Sequence, residues 1–286
     1  MRPLIILVLL LTSCFQKVEK DAFYPQAFTF EPHVVGYKTL ETFDITRPAI
    51  PYSDWQGNLY KTPDYKGRQF QINIWYPAEN ATSTQLTIGN YIDLTARSVY
   101  FEQTKENLNF GRQEIVSKVH DLGNTDSLKS LDVFNNLTTK AYLNARPIDD
   151  KFPLIVYPNG IAPFTTAPTC EMLASYGFVV VSFQMKGVDS STSEASTIGA
   201  DIGADDLKFI LSEVLKLDFV DNDKIALIGN AIVSSFCVAH LVKNENIDAF
   251  ISLEGGFISN YEQTILNDIP AYQPHRLNIP MLCIYS

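Results

Sequence analysis

The stretch Asp223-Lys224-Ile225-Ala226-Leu227-Ile228-Gly229-Asn230-Ala231-Ile232-Val233, continuing into Ser234-Ser235-Phe236-Cys237-Val238-Ala239-His240, limits the possible folds more than any other. A short apolar run bounded by a glycine reads as a strand covered on both faces, and the apolar residues after the break continue without Gly or Pro, as a helix would. A strand covered on both faces needs helices above and below it, which is the setting of a parallel sheet.

The same unit recurs along the second half of the chain. Leu154-Ile155-Val156-Tyr157 is a short apolar strand, followed by the loop Asn159-Gly160-Ile161-Ala162 and a helix from Thr166 to Tyr176. Gly177 then suits a left-handed helix cap. Phe178 to Phe183 is a second continuous apolar run, and Ile202, Leu207, Ile210, Leu211, Val214 and Leu215 mark an amphipathic helix over 201–217. Ile247–Leu253 and Ile279–Tyr285 are the last two strands. Repeated strand-helix-strand units imply right-handed crossovers and a mostly parallel sheet with helices on both faces. Upstream, His33–Phe43 and Arg68–Pro77 read as strands. In the second, Phe70, Ile72 and Ile74 alternate with polar residues, which predicts a half-buried strand, and this opening pair is expected at the antiparallel edge of a mixed sheet. Residues 78–146 break the rhythm with amphipathic segments over 88–99 and 112–119, and are expected to be a helical insertion. Two readings of it stay open, a cap over a site or an excursion packed on the sheet's edge.

The first residues are a targeting segment: Arg2 is its positive end, Pro3 to Leu11 its apolar centre, and Leu11-Thr12-Ser13-Cys14 resembles the lipobox of bacterial lipoproteins. Residues 1–13 are then a signal peptide, Cys14 is the lipidated residue, 14–32 a flexible tether and 33–286 one domain, anchored to the bacterial cell envelope. An ordinary secretory signal is the alternative. A net charge of −10 and the lack of a Lys/Arg cluster argue against nucleic acid as a partner. Cys170, Cys237 and Cys283 each sit in an apolar pattern and read as unpaired buried thiols. His33, His120, His240 and His275 are scattered without metal-ligand spacing, so no metal and no cofactor are expected.

In a parallel sheet ligands bind at the carboxyl ends of the strands, which brings 159–162, 230–232 and 254–257 together as one site. With Trp75-Tyr76-Pro77, Pro153-Leu154-Ile155-Val156-Tyr157 and Asp223–Gly229 in this order, the chain resembles the α/β-hydrolase superfamily, in its dienelactone hydrolase and platelet-activating factor acetylhydrolase-like branch. That family carries its nucleophile in Gly-x-Ser-x-Gly at a strand-to-helix elbow. The resemblance places the nucleophile on Ala231, the second glycine on Val233, the oxyanion-hole N–H groups on Ile161 and Ile232, and the acid on Glu254. A methyl group cannot attack a carbonyl, and the Val233 side chain is expected to disturb the elbow. The family's His follows a further strand, whereas this chain ends at Ser286, so the fold is expected to be C-terminally incomplete. His240 is too far along the helix to serve, and His275 precedes the last strand. Ser234 and Ser235 are expected to bond back to the helix rather than act as a displaced nucleophile.

The resemblance thus implies an envelope lipoprotein of esterase or lipase type, inactive as written, with a pocket for an ester or lipid-like molecule. Two alternatives stand beside it: an active carboxylic-ester hydrolase, if Ala231 replaces a natural Ser and a C-terminal His segment has been lost, or a surface interaction protein binding through 78–146.

Overall fold

The computed structural model describes residues 29–53, 59–60, 64–97, 101, 104–121, 135–159, 165–189, 194–244, 246–254, 260–269 and 272–285. Its strands are β1 (Val34–Asp44), β2 (Tyr52–Ser53), β3 (Leu59–Tyr60), β4 (Arg68–Ala78), β5 (Gln85–Thr87), β6 (Thr138–Leu143), β7 (Phe152–Val156), β8 (Val179–Ser182), β9 (Val220–Asn230), β10 (Ala249–Leu253) and β11 (Met281–Ile284). The helices are α1 (Ile88–Arg97), α2 (Lys105–Asp121), α3 (Ala167–Ser175), α4 (Thr197–Val214), α5 (Ile232–Leu241) and α6 (Asn260–Asn267).

Nine strands form one sheet in the order β11-β10-β9-β7-β8-β4-β1-β6-β5. Strands β8, β7, β9, β10 and β11 run parallel, while β4 is antiparallel to β8 and β1 to β4. The apolar runs predicted as doubly covered strands are so: β8 is buried at all four residues. Helices α4, α5 and α6 cover one face, with Leu207, Phe236 and Leu266 packed against Leu154, Val181 and Leu227. Helices α1 and α3 cover the other, with Tyr91 and Cys170 against Trp75, Ile155 and Val180.

Two expectations are corrected. Strand β4 is buried along its whole length rather than on one face. Asn73 is bonded inside: its Oδ1 accepts from the Tyr37 hydroxyl at 2.7 Å and from Gln71 Nε2 at 3.3 Å, and its Nδ2 donates to the Ser182 carbonyl at 3.1 Å, whereas the Gln69 amide and Gln71 Oε1 are buried with no partner among the described residues. Nor is β1 an edge, because β5 and β6 from the inserted segment extend the sheet beyond it. That segment is bound to the core through Tyr91 of α1, whose hydroxyl donates to Glu171 Oε1 (2.6 Å) and accepts from Trp75 Nε1 (2.8 Å). The second oxygen of Glu171 takes the N–H of Lys140 in β6 at 2.8 Å. The described parts of segment 78–146 therefore pack on the edge and one face of the sheet.

Helix ends follow local chemistry. Gly177 adopts φ +93° behind α3, as a left-handed cap requires. Helix α4 starts four residues before the expected Asp201, because Ser196 caps it by accepting the N–H of Gly199 at 3.1 Å. Strand β11 forms one edge of the sheet, and its Leu282 and Ile284 are 53% and 51% exposed.

The polar link between layers is a buried ion pair. Arg68, at the start of β4, grips Asp206 of α4 through Nε and Nη2, both at 2.7 Å, and donates to the carbonyls of Lys186 and Gly187. Arg47 adds a bond to the same carboxylate at 2.7 Å and pairs with Asp44 at 2.6 Å. Removing one partner of such a pair leaves an uncompensated buried charge, at a cost of about 3–5 kcal/mol. Asp206→Ala is therefore expected to lower unfolding stability by about that amount in a denaturant titration. Lys243→Ala, which removes an exposed pair with Asp201, is expected to change it by under about 1 kcal/mol.

Candidate functional site

The candidate site lies where β9 turns into α5. Ala231 makes that turn alone, at φ 46° and ψ −129°. This is backbone that a residue with a Cβ adopts only under strain of roughly 1–3 kcal/mol. Two hydrogen bonds hold it: the Ala231 N–H donates to the Leu253 carbonyl, and its carbonyl accepts the Ser234 N–H, both at 2.9 Å. The turn also needs Gly229, where an added Cβ would stand 2.6 Å from Ser234 Cα. The close approach thus falls at Gly229 and Ser234. Val233 instead points into the core and is buried, so the expected disturbance of the elbow by its side chain is not found.

Three strand ends meet here. Asn230, the last residue of β9, pairs with Leu253 of β10, and Glu254 follows directly. Glu254 also has positive φ, 59°, and its N–H donates to the Ile284 carbonyl at 2.8 Å. Two strained, non-glycine residues therefore flank a single hydrogen bond, that from Ala231 to Leu253. At the end of β7, Tyr157 is buried; burial pushes its phenol up to about 12, so it stays protonated at neutral pH. Asn159 is held by its N–H on the Phe183 carbonyl (3.0 Å) and its carbonyl on the Met185 N–H (2.8 Å). Its Nδ2 donates to Ser182 Oγ at 3.4 Å, and that hydroxyl lies 3.3 Å from Thr166 Oγ.

Of the residues singled out from the sequence, Ala231, Ile232 and Glu254 come together around the elbow. Ala231 and Glu254 are exposed and Ile232 is half-buried. As the first residue of α5, Ile232 has an N–H with no acceptor within its own helix. Ile161 and Cys14 lie outside the described residues. His240 is turned away: it is buried, with Nδ1 3.0 Å from the Ala204 carbonyl of α4, and burial lowers its pKa. His275 is exposed on a short 3-10 turn, and the His33 ring packs edge-on against Phe152 at 5.9 Å. Ser234 does not bond back to its helix; its Oγ accepts from Ser252 Oγ at 3.0 Å, fully buried beneath the elbow. Ser235 is buried too, and its hydroxyl has no partner among the described residues. Cys170 and Cys237 are buried free thiols, as expected, and burial raises both far above the ordinary range. Cys283 is only partly covered. Among the described residues no three His, Cys, Asp or Glu side chains stand together to hold a metal ion.

Sequence reasoning missed Tyr157 as a site residue, Thr166, Ser182 and the strain at Glu254. The alternation Leu154-Ile155-Val156-Tyr157 could have located the tyrosine on the face of Ile155, since a strand repeats every two residues. The conformation of Glu254 leaves no mark in its residue type.

Among solved structures the chain is similar to a ferulic acid esterase from Streptomyces cinnamoneus. The match has a TM-score of 0.57 at 20% identity and covers 92% of this chain and 67% of that one. The fold is an α/β-hydrolase fold. A dienelactone hydrolase-like promiscuous phosphotriesterase from metagenomic libraries matches over 88% of this chain and 82% of its own, at 10% identity and a TM-score of 0.37. An esterase from Pyrobaculum calidifontis matches over 36% of each chain, at 21% identity and a TM-score of 0.29. No protein-family model matches the chain, and no curated protein sequence does.

Within the α/β-hydrolase fold the elbow of this chain is an exposed turn with a methyl group at its tip, followed by the N–H of Ile232 at the start of α5 and near Glu254 at the end of β10. A methyl group has no lone pair with which to attack a carbonyl. The strain at the turn is directly measurable. Ala231→Gly, which relieves the positive φ, is expected to raise stability by about 1 kcal/mol. Gly229→Ala is expected to lower it by about 1–3 kcal/mol through the clash with Ser234. Paired denaturant titrations check both signs.

Proposed function

We propose that this protein is an envelope-anchored lipoprotein of esterase-type fold that binds an ester or lipid-like molecule at the elbow without hydrolysing it. The observation that carries this reading is the elbow itself, which keeps its strained backbone around Ala231 while presenting only a methyl group. The N–H of Ile232, at the first position of α5 and without an acceptor in its own helix, supports a donor for a carbonyl oxygen. The placement of His240 against α4 and of His275 on an exposed turn supports the absence of triad chemistry from these side chains. In a serine hydrolase, loss of the nucleophile or of the base costs roughly a millionfold in turnover. The anchor rests on the lipobox-like Leu11-Thr12-Ser13-Cys14.

The deciding experiment is hydrolysis of short-chain p-nitrophenyl esters by the purified full chain, with a serine-reactive phosphonate as probe. The expected result is no turnover above a boiled control and no phosphonate label, with a non-hydrolysed ester still protecting the protein in a thermal-shift titration. Phosphonate-sensitive turnover would overturn the proposal. The anchor is tested separately by fractionating bacteria that express the chain: Cys14→Ala is expected to move it from the membrane to the soluble fraction, and an unchanged distribution rejects lipidation at Cys14.

A further inference from the structure

At the end of the sheet opposite the elbow, a groove of about 620 Å³ opens between the start of β7, the end of α4 and the middle of β1. Phe219 lines it, and the buried Tyr76 ring lies behind at 5.1 Å from the Phe219 ring. Lys38 of β1 lies across them, its ammonium 4.6 Å from the Phe219 centroid and 5.8 Å from that of Tyr76. Ring faces attract a cation but fill none of its three N–H donors.

The groove departs from the charge of the chain as a whole. The protein carries −10, yet the groove is lined by Arg146, Lys151 and Lys216 besides Lys38, against Asp149, Asp150 and Asp218, a local balance of four basic to three acidic residues. Arg146 is engaged with Glu79 at 3.4 Å, and Lys216 with Glu213. Lys38 and Lys151 make no close ion pair among the described residues, though Lys151 acts on Asp221 through space. Asp218 acts on Lys38 only through space, and half-burial lowers the Lys38 pKa despite it, the sign of a cation short of a counter-charge.

We propose that this groove binds a small oxyanion, a carboxylate or phosphate group, with the Lys38 ammonium as its charge partner and Lys151 as the second cation at the rim. The groove is formed by the opening strand and by two connections at the amino ends of β7 and β9, so the proposal stands apart from the reading of the elbow. The anion fills the donors that the rings leave open, in a half-buried setting where a charge-assisted bond is stronger than at a free surface.

The test is isothermal titration of the full chain with sodium acetate and with sodium phosphate, against sodium chloride at matched ionic strength. Saturable binding of at least one oxyanion beyond the chloride control is expected. Lys38→Met is expected to weaken it about ten-fold or more, Lys38→Arg to keep it within about three-fold, and Asp218→Asn to tighten it by removing a competing carboxylate. Should Lys38→Met fail to fold, the Lys38→Arg and Asp218→Asn titrations decide alone. The proposal is overturned if neither oxyanion saturates above chloride, if Lys38→Met binds like the parent, or if Asp218→Asn binds more weakly.

Discussion

The structure turns on the reversal of the chain at Ala231, where β9 becomes α5 within one residue. The helix can start so close to the strand only because Gly229 leaves the space that Ser234 Cα approaches. It stays there because the Ala231 N–H reaches across to the Leu253 carbonyl and buried Ser252 bonds to Ser234. These contacts involve backbone or residues beneath the turn, and none uses the side chain at position 231. The strained geometry therefore persists with a methyl group at its tip, its cost offset by the packing of α5. That packing is tight in its own right: Gly203 of α4 faces Phe236, where an added Cβ would stand 3.0 Å from Phe236 Cβ.

Two buried polar links hold the remaining layers to the sheet. Arg68 and Asp206 join β4 to α4 and also hold the carbonyls of Lys186 and Gly187, the segment that follows β8. Tyr91, Trp75 and Glu171 join the inserted segment to β4 and α3 on the opposite face. Both links are directional, so they orient the elements that apolar burial by itself only brings together. The carboxyl end of the sheet, with its elbow, and the amino end, with its cationic groove, are separate consequences of this frame.

Much of this was legible in the residues. Continuous apolar runs marked β8 and β9 as covered on both faces, Gly177 marked the end of α3, and Gly229 with the apolar residues beyond it marked the elbow. Other elements left weaker signals. The Gln69, Gln71 and Asn73 alternation of β4 looked solvated, yet those amides lie inside, Asn73 and Gln71 bonded to each other. Strand β6 buries only the small Thr139 and Ala141, too little apolar surface for its period of two to stand out. The start of α4 was hidden in a polar stretch whose Ser196 is a cap rather than a loop residue.

The sequence by itself determined the alternation of strand and helix from β7 to β10, the glycine on which the elbow depends and the methyl group at its tip, because periodicity and residue chemistry are local properties. Only the tertiary structure decided that β1 is flanked by two further strands, that Ala231 and Glu254 both take positive φ, that His240 turns into α4, and that Lys38 meets Phe219. Each of these joins residues far apart in the chain, and their contacts depend on how the layers pack rather than on any pattern along the backbone.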